Sequence, residues 1–107
     1  FQKDIMIAET AYPWTLQWND WTNNIFGSTD QMIPAYPPTP EGQRQFMIAL
    51  KERIRSIQNY RGIGICYWAP EWVAFRGPQA TNGSPWENAA LFDFTNTPTP
   101  ALYILGD

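Results

Sequence analysis

Two short runs of uninterrupted apolar residues are the strongest pattern along the chain. The first covers residues 5–8 and leads directly into Glu9, and the second is Gly62 to Trp68, with the sequence GIGICYW. Neither run alternates between apolar and polar positions. Continuous apolar runs of this length are typical of strands that are covered on both faces, as in a parallel sheet. The pattern therefore predicts two buried strands, over residues 5–9 and 62–68.

A helix is predicted between the two strands. Thr39 can cap its N-terminus, Pro40 suits the first helical position, and Glu41 complements the helix dipole. Apolar residues then recur at helical spacing to about residue 58, namely Phe46, Met47, Leu50, Ile54 and Ile57. A strand, a crossover helix and a second parallel strand make one βαβ unit, which is right-handed in almost all proteins.

Long loops rich in proline follow both strands. They cover residues 10–38 and about 69–87, and short helical segments are predicted over 88–94 and 101–105. Two parallel strands alone would leave both sheet edges open, whereas a complete (β/α)₈ barrel takes about 250 residues. We therefore expect an α/β fold in which residues 1–107 are the C-terminal fragment of a (β/α)₈ TIM barrel catalytic domain, about its last two βα units. Active sites of such barrels lie where the strands end.

Composition excludes several kinds of chemistry. The 107 residues include no histidine, which removes Ser-His-Asp and Cys-His catalysis and imidazole metal ligands. The single cysteine, Cys66, lies inside the second apolar run and is expected to be a small buried hydrophobe. A net charge of -3 without a cluster of cations disfavours nucleic acid as a partner, and no apolar run is long enough to cross a membrane. Carboxylates remain the main candidates for catalysis.

Glu9 is the carboxylate best placed for such a role. It ends the first predicted strand, and Tyr12 and Trp14 follow it where a solvated turn would be expected. A solvated glutamate at a strand end is the alternative interpretation. Glycosidases use two carboxylates that flank the scissile bond. Glu71 and Glu87 could supply the second one, although neither lies at the end of a predicted strand.

Four motifs cover nearly the whole chain. They are Glu9-Thr-Ala-Tyr-Pro-Trp14, Thr39-Pro-Glu-Gly-Gln43, Tyr67-Trp-Ala-Pro-Glu-Trp72 and Trp86-Glu-Asn-Ala-Ala-Leu-Phe-Asp-Phe94. In this order and spacing they resemble the C-terminal part of the family 53 glycoside hydrolases, the arabinogalactan endo-β-1,4-galactanases. The resemblance implies a barrel enzyme that hydrolyses β-1,4-galactan with retention of configuration and uses a pair of glutamates.

The resemblance also implies roles for individual residues. Glu9 matches the nucleophile at the end of the seventh strand, and Trp68 matches the tryptophan that floors the subsite of the cleaved sugar. The remaining residues expected to contact substrate are Tyr12, Trp14, Trp86 and Glu71. The acid/base of the family follows the fourth strand, which is not part of these 107 residues.

Two segments depart from the family pattern. The usual Tyr-Trp-Glu-Pro-Ala-Trp motif here has Ala69 in place of the glutamate and Glu71 in place of the alanine. Family members often hold a calcium ion in the loop after the seventh strand. In this chain, only Asp20 and Asn24 remain there as plausible oxygen ligands, and stabilisation of a turn is the alternative role for both. No cofactor is required by the implied mechanism.

Other interpretations of the chain remain open. It could be a sugar-binding remnant without catalytic activity, or a truncated fragment that associates with other copies through its open strand edges. Because the acid/base is missing, the 107-residue chain alone is expected to be inactive and to need the rest of the barrel or self-association. A polymeric substrate favours a secreted, periplasmic or cell-surface location. Phe1 is not a natural start, so the chain is expected to have been trimmed or cut.

Overall fold

A computed structural model describes residues 2–106, and its elements follow the predicted order. These are strand β1 (Ile5–Thr10), helix α1 (Pro40–Arg55), strand β2 (Gly62–Tyr67) and helix α2 (Leu102–Gly106). The two strands pair in parallel, and α1 lies between them in the chain. The prediction of a βαβ unit with an α/β fold is confirmed.

Helix α1 begins as predicted and ends earlier. The Thr39 hydroxyl oxygen accepts a hydrogen bond from the Gly42 amide at 2.9 Å and caps the first turn. The helix ends at Arg55, whereas the apolar spacing predicted an end near residue 58. Beyond it the chain reverses through Asn59 and Tyr60, whose φ angles of 60° and 58° are left-handed. The helix cannot reach residue 58 because Ile57 is extended, with φ −65° and ψ 129°.

The hydrophobic core lies on one side of the sheet, between the sheet and α1. Met47, Leu91 and Ala101 are fully buried, and the apolar side chains that pack against them are Phe46, Ile65, Tyr67, Leu102 and Ile104. Residues brought together here come from α1, β2 and the last turn of the chain. The core therefore joins the segments that hold β2 in place.

Only one face of each strand is covered by the residues that the structure describes. Ile65 and Tyr67 face the core, whereas Ile63 and Cys66 of the same strand are exposed. The prediction that both strands are buried on both faces is therefore wrong for this chain, and so is the prediction that Cys66 is buried. Because side chains alternate between the faces of a strand, Cys66 lies on the face opposite Ile65 and Tyr67, whereas Ile63 lies on the same face as Ile65 and is nevertheless exposed.

The segment over residues 88–94 is not the short helix that was predicted. Its backbone bonds reach distant segments, since the Leu91 amide donates to the Pro70 carbonyl at 2.8 Å. The Thr99 amide donates to the Leu91 carbonyl at 2.9 Å, and Phe92 forms an antiparallel bridge with Pro98. These bonds replace the local bonds of a helix. Across residues 2–106, no helix has the length and hydropathy needed to span a bilayer.

Candidate active site

A bulge in β1 lies directly beside Glu9. Ile7 pairs with Ile65, and Thr10 pairs with Tyr67, so that three steps along β1 correspond to two steps along β2. The extra residue of β1 therefore falls at Ala8 or Glu9. Bulges bend a strand and redirect a side chain, and they occur frequently next to active sites. The bulge places Glu9 at the carboxyl end of β1 with its side chain exposed.

Trp68 lies at the same edge of the sheet as Glu9. Its amide donates a hydrogen bond to the Thr10 carbonyl at 2.7 Å, which continues the pairing of the two strands by one residue. Thr10 and Tyr67 are paired, and Tyr67 packs against the core. The Glu9 and Trp68 side chains are both exposed. An exposed carboxylate and an exposed indole thus lie at the ends of neighbouring strands, on the carboxyl edge of the sheet.

The chain turns sharply after Trp68. Ala69 has a φ of +51°, a left-handed conformation that costs a residue with a Cβ about 1–2 kcal/mol. The Ala69 carbonyl accepts from the Trp72 amide at 3.2 Å, and this turn leads into the second long loop. Strained backbone of this kind concentrates at functional sites. The turn fixes the direction in which the loop leaves Trp68.

The hydroxyl group of Tyr67 fastens both long loops to the end of β2. It accepts a hydrogen bond from the Tyr12 amide at 3.0 Å and lies 2.7 Å from the Ala89 carbonyl, to which it donates. Burial raises the pKa of Tyr67 to about 12, so the phenol keeps its proton at neutral pH. Since Tyr67 directly precedes Trp68, this hydroxyl also fixes the backbone that carries the indole.

Gln43 is a buried polar side chain that the sequence analysis did not identify as functional. Its Nε2 donates to the carbonyls of Tyr12 at 2.9 Å and Ala90 at 3.1 Å, and its Oε1 accepts from the Thr99 hydroxyl at 2.8 Å. The position of Gln43 in the helix could have predicted its burial. Residue 43 lies one helical turn before Met47, on the stripe of α1 that faces the core. A glutamine on a buried stripe must bond to other buried groups.

We expect Tyr67→Phe to lower the free energy of unfolding by about 1–3 kcal/mol at neutral pH, because the buried Tyr12 amide loses its acceptor. The folded-state pKa of Tyr67 lies above the ordinary value of 10.0. The protonated phenol therefore contributes stability that is complete below pH 10.0 and is lost as the pH rises toward about 12. Denaturant unfolding of both proteins between pH 7 and pH 12 measures the effect.

The difference in stability between wild type and Tyr67→Phe should shrink through this alkaline range. Tyr103→Phe is the control, since Tyr103 is an exposed tyrosine on α2. It should leave the stability at neutral pH unchanged. A stability difference for Tyr67→Phe that stays constant from pH 10 to pH 12 would contradict the prediction.

Tyr12 is the most buried of the residues predicted to contact substrate. Its ring stacks on Phe46 with centroids 4.3 Å apart. Its hydroxyl donates to the Tyr36 carbonyl at 2.6 Å and accepts from the Ile33 amide at 3.1 Å. These contacts hold the loop after β1 against α1. A direct contact between Tyr12 and a sugar stays a prediction.

The other predicted contact residues lie in the two loops. Trp14 is half-buried with its ring edge against Phe94, at a centroid distance of 4.6 Å, and its indole Nε1 is buried without a partner among the described residues. Trp86 is also half-buried and meets Phe26 at 5.6 Å. Glu71 is exposed. Trp14 and Trp86 thus pack within the loops, and their roles toward a substrate remain predictions.

Asn24 joins the two loops in the described structure, and Asp20 stabilises a turn within the first loop. The Asp20 carboxylate accepts from the Thr22 amide at 2.7 Å, and Asn24 donates to the Glu87 carboxylate at 3.3 Å. Burial raises the pKa of Glu87, which is fully enclosed beside these residues. Among residues 2–106, one side-chain oxygen each of Asp20, Asn24 and Glu87 is buried and has no hydrogen-bond partner.

These three oxygens do not make a complete calcium site. Calcium takes six to eight oxygen ligands. In the part of the chain that the structure describes, no group of three or more acidic, cysteine or histidine side chains is arranged to hold a metal ion. Calcium binding by Asp20 and Asn24 stays a prediction, and we route no step of catalysis through a metal. The hydrogen bonds observed for Asp20 and Asn24 stabilise the conformation of the loops.

Known proteins match the chain closely. It is 39% identical over 105 residues to an arabinogalactan endo-beta-1,4-galactanase of Cellvibrio japonicus and 28% identical over 138 residues to an endo-beta-1,4-galactanase of Bacillus subtilis. These alignments include 95% and 97% of the chain but only 27% and 31% of the two relatives. The chain therefore spans less than a third of the length of the relatives that it matches.

The chain also matches part of a solved structure. The GH53 catalytic domain of Ignisphaera aggregans superposes with a TM-score of 0.85 at 37% identity, over 98% of this chain and 30% of that domain. This match confirms that the βαβ unit is a portion of a (β/α)₈ barrel domain. The sequence profile of glycosyl hydrolase family 53 matches residues 1–105, which confirms the resemblance of the four motifs. The chain belongs to glycosyl hydrolase family 53.

Proposed function

We propose that this chain is the C-terminal part of a retaining endo-β-1,4-galactanase and that Glu9 is its nucleophile. The observation that carries the proposal is the exposed Glu9 at a bulge on the carboxyl edge of the sheet, where the neighbouring strand ends in the exposed Trp68. The relatives from Cellvibrio japonicus and Bacillus subtilis are galactanases by name, which supports β-1,4-galactan as the substrate.

In this mechanism the Glu9 carboxylate attacks the anomeric carbon of a galactosyl residue. The bond to the leaving oxygen breaks, a second carboxylic acid protonates that oxygen, and a glycosyl-enzyme ester forms. The second group then takes a proton from water, which attacks the same carbon and releases Glu9. Two successive inversions retain the configuration. Trp68 offers its ring to the flat C–H face of the sugar during both steps.

The second carboxylic acid is expected outside this chain. Carboxyl groups of retaining glycosidases lie about 5–5.5 Å apart across the scissile bond. Glu87 is buried, and its carboxylate accepts from the Asn19 amide at 2.8 Å, so it is already bonded within the loops. Glu71 lies beyond the turn at Ala69. Neither of these two residues has a contact that pairs it with Glu9 among the described residues.

We also propose that the chain functions within a complete barrel. Ile5, Met6 and Ile63 expose about half or more of their surface on the two strands. Burying such side chains stabilises a protein by about 1.5–3 kcal/mol each. The preceding strands and helices of a barrel would cover them and would add the acid/base. Because the substrate is a polymer, we propose a secreted, periplasmic or cell-surface location for the enzyme.

The test compares residues 1–107 alone with a complete barrel that contains them. Release of reducing ends from β-1,4-galactan should occur with the complete barrel and should be absent with the short chain. The anomeric configuration of the first product, followed by NMR, should be β, as retention requires. A complete barrel that leaves galactan intact, or that releases the α-anomer first, would contradict the proposed function.

Self-association of the short chain is the second candidate, and the open strand edges favour it. Both strands of the two-stranded sheet have an edge without a partner among the described residues. Open edges of this kind pair readily with other chains. Light scattering after size-exclusion chromatography should therefore find dimers or larger species. A folded monomer at all concentrations would contradict this candidate.

A further inference from the structure

Gln43 ends the second of the four sequence motifs, and it has no role in the mechanism above. Its side chain is completely buried. Nε2 donates to the carbonyls of Tyr12 and Ala90, and Oε1 accepts from the Thr99 hydroxyl. Nε2 also lies 3.3 Å from the Tyr67 hydroxyl. One side chain of α1 thus contacts the loop after β1, the end of β2 and the C-terminal segment.

These partners determine the orientation of the Gln43 amide. Nε2 carries two protons, and the carbonyls of Tyr12 and Ala90 take one each. With the amide reversed, Oε1 would face both carbonyls, and both bonds from Gln43 would be lost at a cost to buried groups. The start of α1 is fixed as well, since a Cβ added at Gly42 would lie 1.7 Å from the Pro37 carbonyl oxygen.

The bulge in β1 makes the direction of Glu9 dependent on the residues that follow it. Regular pairing with β2 is interrupted between Ile7 and Thr10. A bulge leaves its extra residue unpaired, so the ladder of hydrogen bonds does not by itself fix Glu9. The first contacts beyond the bulge are the bond from the Trp68 amide to the Thr10 carbonyl and the bonds of Tyr12.

Tyr12 is held at both of its backbone groups. Its amide donates to the Tyr67 hydroxyl at 3.0 Å, and its carbonyl accepts from Gln43 at 2.9 Å. Tyr12 lies three residues after Glu9, and Tyr67 directly precedes Trp68. A displacement of the Gln43 side chain would therefore reach both strand ends that carry the candidate active site.

We propose that Gln43 is a positioning residue, which sets the direction of the Glu9 carboxylate relative to Trp68. It acts through the backbone of Tyr12 and the hydroxyl of Tyr67. The proposal rests on the proposed function, because it takes Glu9 as the nucleophile. Reacting groups must be closely aligned, and a misplacement of about 1 Å lowers a rate by as much as about a hundredfold.

The kinetic test compares Gln43→Met with wild type in a complete barrel that contains residues 1–107. Methionine has a similar size and donates no hydrogen bond. We expect kcat on β-1,4-galactan to fall about ten- to a hundredfold and KM to change less than about twofold, in protein that circular dichroism shows to be folded. Gln45→Met is the matched control, exposed on the same helix, and should change neither constant. An unchanged kcat in folded Gln43→Met would overturn the proposal.

Thr99 offers a milder pair of variants. Thr99→Val keeps the size of the side chain and removes the hydroxyl that bonds to Gln43, whereas Thr99→Ser keeps the hydroxyl and loses a buried methyl group. We expect kcat to fall a few-fold in Thr99→Val and to stay at the wild-type level in Thr99→Ser. A role in packing alone would reverse this order, because the lost methyl group leaves a cavity. The reversed order would overturn the proposal.

Amide hydrogen exchange at single-residue resolution tests the positioning without catalysis. The amides of Tyr12 and Trp68 should both exchange faster in Gln43→Met and in Thr99→Val than in wild type, and Gln45→Met should leave them unchanged. Unchanged exchange at both amides would overturn the proposal. A wild-type barrel that leaves galactan intact would instead overturn the proposed function, and the exchange result would still decide whether Gln43 fixes the two strand ends.

Discussion

Glu9→Gln in a complete barrel should lower kcat on β-1,4-galactan by a factor of about 10³ or more, while galactan binding is retained. The amide keeps the size of the side chain but cannot attack the anomeric carbon. Glu9 is exposed at the edge of the sheet, so its replacement removes no buried contact. The loss should therefore appear in kcat and not in the thermal stability of the protein.

Two further variants separate a nucleophile from a residue that only supports the site. Glu9→Gly supplied with sodium azide should regain turnover and release α-galactosyl azide, because azide attacks from the space that the carboxylate has left. Glu52→Gln is the control carboxylate, exposed on α1, and should retain full activity. Activity of Glu9→Gln within a few-fold of wild type would refute the assignment.

The local patterns of the sequence predicted the elements well. Continuous apolar runs located β1 and β2, and the cap at Thr39 located the start of α1, because these signals depend on neighbouring residues alone. The apolar runs also predicted full burial, which did not hold for Cys66. A strand that is apolar on both faces is suited to a complete barrel, in which both faces are covered. This chain supplies one of the two covering layers.

Features that depend on contacts between distant segments could not be predicted. The bulge beside Glu9 is a feature of the pairing register between β1 and β2. That register depends on two segments that are far apart in the chain, so neither segment predicts it alone. Gln43 is a polar residue on an apolar stripe, and its partners at Tyr12 and Ala90 lie 31 and 47 residues away.

Gly62→Ala should strongly destabilise the fold. A Cβ added at Gly62 would lie 1.9 Å from the Ile54 carbonyl oxygen and 2.7 Å from its carbonyl carbon. Ile54 is buried within α1, and Gly62 begins β2, so either the helix or the strand must move. We expect the free energy of unfolding to fall by about 3 kcal/mol or more.

The same substitution should also lower catalytic activity, because β2 carries Trp68 at its other end. Gly27→Ala is the control, since its added Cβ would meet only the Asn24 carbonyl oxygen, at an ordinary distance of 3.8 Å. That control should change the free energy of unfolding by less than about 1 kcal/mol. Denaturant unfolding of a complete barrel with each variant measures both effects. Equal stabilities for the two alanine variants would show that α1 and β2 do not approach as closely as the structure places them, and the position of Trp68 beside Glu9 would then lose its support.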